Sequence, residues 1–189
     1  MSISDQDRWD ARWAEPKSAH VREPHPLLVR FIEQRRLTRG HALDLACGVG
    51  QNAIWLAQCG FTVEAVDISL VALEHGQHAA LEAGVTLNFV HADLDVWQPQ
   101  AEAYDLIMGF RFLNRKLWPR LRTALRPGGW LLYQTFNVLK VTPDADFSRE
   151  YLLDIGELPR AFADWHIAGS GDDGGPFRDQ SWIVCHKLV

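Results

Sequence analysis

Leu27, Leu28, Phe31 and Ile32 fall at positions i, i+1, i+4 and i+5. That spacing gathers four apolar side chains on one helical face and predicts an amphipathic helix over 26–37, ended by Arg39-Gly40. Upstream, a short helix over 5–14 would carry Trp9 and Trp13 one turn apart, before Pro16, Pro24 and Pro26 interrupt the chain. Beyond residue 40 the pattern changes to short apolar runs alternating with helical-period segments. The runs 42–46, 61–66, 85–90, 104–108 and 130–136 predict five strands. Ala53, Leu56 and Ala57 predict the first helix between them, closed by Gly60. Ser69 is placed as the N-cap of the next, whose face carries Leu70, Leu73, Ala80 and Leu81. Leu113, Leu117, Leu121 and Leu125 recur every four residues and predict a helix that turns at Pro127-Gly128-Gly129. Leu158 and Phe162 predict a further short helix over 156–163. Two last strands, near 165–169 and 181–187, flank a turn-rich stretch over 171–175 and are expected to pair antiparallel.

Strands alternating with helices imply an α/β, doubly wound, mostly parallel sheet with right-handed crossovers and helices on both faces. Such sheets bind ligands beyond the carboxyl ends of their strands, at the switch point in strand order. The residues just after each strand are therefore the first candidates for function. No repeat, low-complexity tract or linker divides the 189 residues, so one domain is expected, with 1–38 as a helical cover on a core of 39–189.

Composition narrows the partners. A net charge of −5 argues against an extended nucleic-acid footprint. No apolar stretch reaches 18 residues, and the first 13 lack a basic segment followed by an apolar run, so neither a membrane span nor a leader is expected. Cys47, Cys59 and Cys185 have no paired or zinc-ligand spacing, which fits a reducing, cytoplasmic setting. His75 and His78 stand at i, i+3 without a companion acid or thiol, so no metal site is expected. The pattern leaves the oligomeric state open.

The chemistry concentrates in residues 43–53, Leu-Asp-Leu-Ala-Cys-Gly-Val-Gly-Gln-Asn-Ala. A strand runs into Gly48 and Gly50 and a helix follows. Glycines let the backbone turn tightly and let a ligand reach its N–H groups, and the helix N-terminus adds partial positive charge. The next strand ends at Asp67, where an acid can accept from both ribose hydroxyls of an adenosine. Gly48-x-Gly50-x-x-Ala53 with Asp67 also fits a dinucleotide fingerprint. Asp44 separates the two readings: a carboxylate just before the glycines repels a pyrophosphate but suits a ligand carrying an ammonium and a sulfonium. Asp44 could equally cap the loop by accepting backbone N–H groups, and both roles can coexist.

With these residues in place the chain resembles the class I S-adenosylmethionine (SAM)-dependent methyltransferases. The match runs from the first motif at 44–50 through Asp67, Ala92-Asp93-Leu94 and the strand 104–108 to Leu125-Arg126-Pro127-Gly128-Gly129-Trp130. Within that family the Trp9–Trp13 segment, residues 112–115 and the short tail are similar to the small tellurite-resistance and thiopurine methyltransferase-like group. The resemblance implies a Rossmann-like domain with a seven-stranded sheet and SAM as cofactor. It implies that Ala46, Cys47, Gly48, Gly50 and Asn52 line the methionine part of SAM, beside Asp44. Asp67 would bind the ribose, Ile68 would pack on adenine, Asp93 would accept from the adenine amino group with Leu94 alongside, and Gly109-Phe110 would flank the sulfonium. Arg12, between two tryptophans, is a candidate partner for the SAM carboxylate. The family's first motif has glycine where this chain has Ala46, a change expected to be tolerated unless that residue takes a positive φ.

The acceptor side is less marked. Arg111, Arg115, Tyr133 and Asn137 stand nearest the strand ends and are candidate substrate contacts. Arg111, Arg115, Lys116, Arg120, Arg122 and Arg126 otherwise read as a solvated basic helix face. Tyr133, Asn137 and His166 are the candidate proton acceptors, and none stands out, so no catalytic residue is assigned. A thiolate or chalcogen oxyanion needs no base, so a small, soft or already ionised acceptor is favoured. Two other functions fit the motif: a non-catalytic SAM-binding module and a nicotinamide-dependent oxidoreductase. Residues 1–25 and the loop 137–150 are expected to cover the site.

Overall fold

A computed structural model of the chain describes residues 3–15, 23–140, 148–172 and 179–188. Its elements run α1 (Ile3–Trp13), α2 (Pro26–Arg35), β1 (His41–Leu45), α3 (Gln51–Gln58), β2 (Thr62–Asp67), α4 (Leu70–Glu82), β3 (Asn88–His91), β4 (Tyr104–Phe110), α5 (Trp118–Ala124), β5 (Leu125–Phe136), α6 (Glu157–Ala161), β6 (His166–Gly171) and β7 (Gln180–His186). The sheet has seven strands in the order β3-β2-β1-β4-β5-β7-β6. β1 lies parallel to β2 and β4, and β7 runs antiparallel to both β5 and β6. The order reverses beside β1, so the crevice at its carboxyl end is the ligand position such sheets favour.

Alternation along β1 sorts its side chains to opposite faces. Leu43 and Leu45 join Leu117, Leu121, Leu158 and Phe162 in the core beneath α5 and α6. Ala42 joins Leu28, Phe31, Ala53, Leu56 and Leu73 beneath α2, α3 and α4. Asp44 follows Ala42's parity, so its carboxylate is carried to the α3 side, at the sheet's carboxyl edge. Ser69 caps α4 as expected, its hydroxyl accepting from the Ala72 N–H at 3.1 Å.

Two expectations are corrected. The leucine repeat at 113–125 is not one helix. Asn114 caps a 3-10 turn at Arg115–Leu117, α5 follows with Pro119 in its first turn, and Leu125 already pairs with Tyr104 in the sheet. Glycines 128 and 129 therefore lie within β5, beside a register shift between Tyr104 and Leu106. The basic run is not merely solvated either. Arg115 binds Glu157, Arg122 binds Asp164, Arg126 binds Asp105, and Arg120 donates to the Asp95 and Trp97 carbonyls. Each arginine ties α5 or its flanks to a neighbouring part of the chain: Arg115 to α6, Arg126 to β4, and Arg120 and Arg122 to loops.

Candidate active site

The chain leaves β1 through three left-handed residues: Ala46 at φ 51°, Gly48 at φ 56° and Gly50 at φ 73°. The condition set on alanine at 46 is thus not met, because Ala46 holds the conformation that glycine takes without steric cost. The turn is tied to β2 at two points. Cys47 N–H donates to the Val66 carbonyl at 3.1 Å, and Gly48 N–H donates to Asp67 Oδ2 at 2.7 Å. Asp67 Oδ1 accepts from Ser69 N–H at 2.9 Å. Each carboxylate oxygen of Asp67 so accepts one backbone donor and retains further acceptor capacity.

Asp44 lies at the bottom of this turn, 1% exposed, and its Oδ2 has no hydrogen-bond partner among the described residues. Burial, with the negative charge of Asp67 nearby, pushes its carboxyl well above the usual carboxylate range, against the pull of the Ala53 backbone N–H. A buried acceptor without a donor costs stability unless a ligand supplies one. Asp44 lines a cleft of about 230 Å³, together with Ala46, Cys47, Asn52, Phe110 and Arg111 and residues 23–26.

The far wall of that cleft comes from a residue that the hydrophobic pattern did not single out. His25 lies between two prolines and caps α2, its Nδ1 accepting from the Leu27 N–H at 3.2 Å. Its backbone N–H donates to Asn52 Oδ1 at 2.8 Å, tying the capping segment to α3. The imidazole stacks on Phe110, with centroids 4.1 Å apart and planes 10° from parallel. Burial, then the charge of Arg111, pushes it down to about 4, so it is neutral at ordinary pH. The signal available in the sequence was a polar, cap-competent residue immediately before Pro26.

The remaining expected site residues differ in their surroundings. Arg12 is exposed and stacks over Trp9 at 5.8 Å; it is Trp13 that meets the turn, its indole packed on Gly48. Asp93 Oδ1 accepts from Asp95 N–H at 2.8 Å, the local turn role that a loop acid often takes. Ala92 N–H donates to the Asp67 carbonyl at 3.0 Å, which keeps that segment next to the turn. Ile68 is buried behind Asp67, and the Leu94 side chain is in the core. Gly109 receives the Tyr133 ring, which a Cβ would meet at 2.8 Å.

Three of the acceptor-side candidates are used structurally. Arg115 is spent on Glu157 and on the carbonyls of Glu150 and Leu152. Tyr133 is fully buried beside Trp118, and burial holds its hydroxyl far above its usual range. Asn137, also fully buried, bonds the Asp172 carbonyl and Ser181 Oγ. Arg111 alone of the four lines the cleft. Cys47 lines it too, but burial raises its thiol well above the ordinary range, which disfavours a thiolate nucleophile. Among the described residues no cluster of metal-ligating groups occurs. The cover expected from 1–25 and 137–150 falls partly on residues 16–22 and 141–147, outside the described residues.

Comparisons with known proteins agree with this fold. Residues 42–129 match the methyltransferase domain family. The chain is 29% identical to a probable thiol methyltransferase 2 of Arabidopsis thaliana, over 73% of this chain and 65% of that protein. It is 27% identical to a ubiquinone biosynthesis O-methyltransferase of Paraburkholderia phymatum, over 67% of this chain and 58% of that protein. It thus spans less than two thirds of the length of these relatives. Among solved structures it resembles phosphoethanolamine N-methyltransferase 2 of Haemonchus contortus in complex with S-adenosyl-L-methionine, with a TM-score of 0.77 at 14% identity, covering 100% of this chain and 61% of that one. It also resembles TehB from Haemophilus influenzae, with a TM-score of 0.71 at 16% identity, covering 86% and 62%. These structural likenesses show the fold, and the antiparallel β7 between β5 and β6 departs from the 3-2-1-4-5-6 order of dinucleotide-binding sheets. The matched segment spans the glycine turn, Asp44 and Asp67, and the chain has the α/β, Rossmann-like fold of the SAM-dependent methyltransferases that it resembles.

Proposed function

We propose that this chain transfers a methyl group from SAM to a small acceptor that is already ionised or carries a soft lone pair. The observation that carries the reading is Asp44: a buried carboxylate, one oxygen of which has no donor among the described residues, on a residue that lines a cleft beside a left-handed turn. An ammonium group supplies the missing donor and charge, whereas a pyrophosphate would be repelled. Ala46, Cys47 and Asn52 would hold the methionine part, Asp67 the ribose through its remaining acceptor sites, and Asp93 and Leu94 the adenine. Phe110 would stand near the sulfonium. Bound SAM supplies an activated methyl: a thiolate lone pair forms the new S–CH3 bond as the sulfonium–CH3 bond breaks, leaving a thioether and S-adenosylhomocysteine.

The protein's own share is to bind, orient and exclude water. Among the described residues that line the cleft, neither the thiol nor the imidazole is suited to take a proton from the acceptor. The Cys47 thiol is held protonated by burial, and His25 uses its unprotonated Nδ1 to cap α2. That favours an acceptor needing no base, in keeping with the thiol named for the Arabidopsis relative and with kinship to the tellurite-resistance and thiopurine methyltransferase-like group. No helix among the described residues is long and apolar enough to cross a membrane, and a cytoplasmic small-molecule enzyme of one domain fits this reading. The test is turnover of labelled SAM over a panel of thiols, selenite, tellurite and small heteroaromatics, beside calorimetry with S-adenosylhomocysteine and NAD. Cofactor binding without turnover on any of them would favour a non-catalytic module, and tight NAD binding would overturn the reading.

A further inference from the structure

Beyond β3 the chain makes one tight turn over 93–97 rather than a helix. Asp93 Oδ1 accepts from Asp95 N–H at 2.8 Å, and the Asp93 carbonyl accepts from Val96 N–H at 3.1 Å and Trp97 N–H at 2.8 Å. Ala92 N–H, bonded to the Asp67 carbonyl, ties the start of the turn to β2. A single turn leaves its later carbonyls open, as the last turn of a helix does. Here three of them converge on one atom. Arg120 Nη1 donates to the carbonyls of Asp95 at 2.9 Å, Trp97 at 3.1 Å and Leu94 at 3.5 Å.

Asn114 fastens the same turn a second time. Its Nδ2 donates to Asp95 Oδ1 at 2.8 Å and to the Leu94 carbonyl at 3.4 Å. Its Oδ1 accepts from Lys116 N–H at 3.0 Å and caps the 3-10 turn before α5. Both ends of this buried amide are committed, which fixes its orientation. Asn114 and Arg120 both belong to the stretch between β4 and β5, which begins at the cleft residues Phe110 and Arg111. The turn carrying Asp93 and Leu94 is therefore held in shape from the acceptor side of the site. A site whose polar groups are held in place rejects a ligand with a mismatched hydrogen-bonding edge; one free to rearrange does not.

Resting on the methyltransferase reading above, in which this turn meets the adenine, we propose that Asn114 and Arg120 are positioning residues that clasp the 93–97 turn in the shape that selects adenine over a purine bearing oxygen in place of the amino group. They act through the turn and not on the cofactor itself.

The test is calorimetry on the full chain with S-adenosylhomocysteine and S-inosylhomocysteine, in which the adenine amino group is replaced by oxygen. The wild type is expected to prefer the first by about tenfold or more, the scale of one hydrogen bond. Arg120→Met keeps the apolar stem, removes the donors and should lose most of that preference. Asn114→Asp keeps the capping oxygen but sets a carboxylate oxygen against Asp95 Oδ1 and the Leu94 carbonyl, so it should lose the preference as well. Combining Asn114→Asp with Asp95→Asn reverses the direction of the side-chain bond and should recover much of it. The ratio of two affinities on one variant does not change when part of the protein unfolds, so a merely structural role would leave it where it was. Equal affinity of the wild type for both probes, a preference that survives both single variants, or a swap that recovers none of it would overturn the clasp while leaving the cofactor reading intact. Failure of the wild type to bind S-adenosylhomocysteine would remove that reading and this one together.

Discussion

The Trp13 indole lies so close over Gly48 that a Cβ built on the glycine would stand 2.7 Å from the ring. Gly48 also needs its left-handed φ of 56°, and its N–H is the donor to Asp67. One residue so joins the N-terminal helix, the turn and the end of β2. Asp10 holds the same helix from the other side, its Oδ1 accepting from the Ser69 hydroxyl at 2.6 Å and from Val71 N–H at 3.3 Å.

If α1 covers the cofactor, Trp13→Ala should weaken S-adenosylhomocysteine binding by about tenfold, roughly 1.4 kcal/mol. The fold should survive, because among the described residues α1 contributes none to either core cluster. Gly48→Ala should do more, because it adds a clash to backbone strain. Calorimetry with both variants, alongside circular dichroism, separates cover from fold. Unchanged affinity in Trp13→Ala would count against the cover.

Asp44 gives a proton-linked prediction. Its carboxyl is raised in the ligand-free protein by burial and by Asp67. A bound ammonium favours the ionised form, so binding should release a proton, and affinity should rise with pH up to the raised value and level off above it. Titrations in buffers of differing ionisation enthalpy report that proton directly. Asp44→Asn should abolish the release and weaken binding by about 2 kcal/mol, the scale of a charge-assisted hydrogen bond, without lowering the melting temperature. A proton count of zero in the wild type would refute the assignment.

Most of the frame was legible because it is carried by local rules. Strand alternation, Ser69 capping α4 and the antiparallel last pair each follow from a few neighbouring residues. The errors arose where distant contacts decide. Leu113, Leu117, Leu121 and Leu125 share a helical period, yet Leu125 is recruited by Tyr104 of β4, which no local pattern announces. The glycine turn and its two acids were legible because glycine and aspartate are needed there for conformational and chemical reasons. That Trp13 meets the turn while Arg12 is exposed was not legible, because sequence shows spacing, not which side of α1 turns inward. His25 was missed because its role depends on Asn52 and Phe110, 27 and 85 positions away.

Ala46 tests how far the turn tolerates a side chain. An L-residue at φ 51° bears about 1–2 kcal/mol of strain. Replacing it with glycine removes that strain but adds about 0.4–1 kcal/mol of unfolded-chain entropy. Ala46→Gly should therefore raise the melting temperature by a degree or two, since about 1 kcal/mol shifts a domain of this size by roughly 2–4 °C. Ala46→Val, β-branched in the same conformation, should lower it clearly. Calorimetric scans of the pair check both signs, and a more stable valine variant would show the turn to be rearranged in solution.

His25 makes stability depend on pH in a defined window. Its folded-state value is lowered from 6.5 to about 4 by burial and then by Arg111, so between those limits the unfolded chain binds more protons than the folded one. The contribution is fully present above pH 6.5 and is lost as pH falls toward 4. The full shift would correspond to about 3 kcal/mol, but His25 is only half-buried, and solvent screening reduces this to on the order of 1–2 kcal/mol. Glu23 on the same segment and Asp44 across the cleft face the group as well. Asp44 acts in the opposite sense, its raised carboxyl losing stability as pH rises. The measurement is therefore a difference: denaturant midpoints of the wild type and His25→Gln at pH 7.5, 6, 5 and 4.5. The wild type should lose its advantage over the variant as pH falls through that range. A gap that stays constant would mean that the imidazole is not shielded as its stack on Phe110 implies.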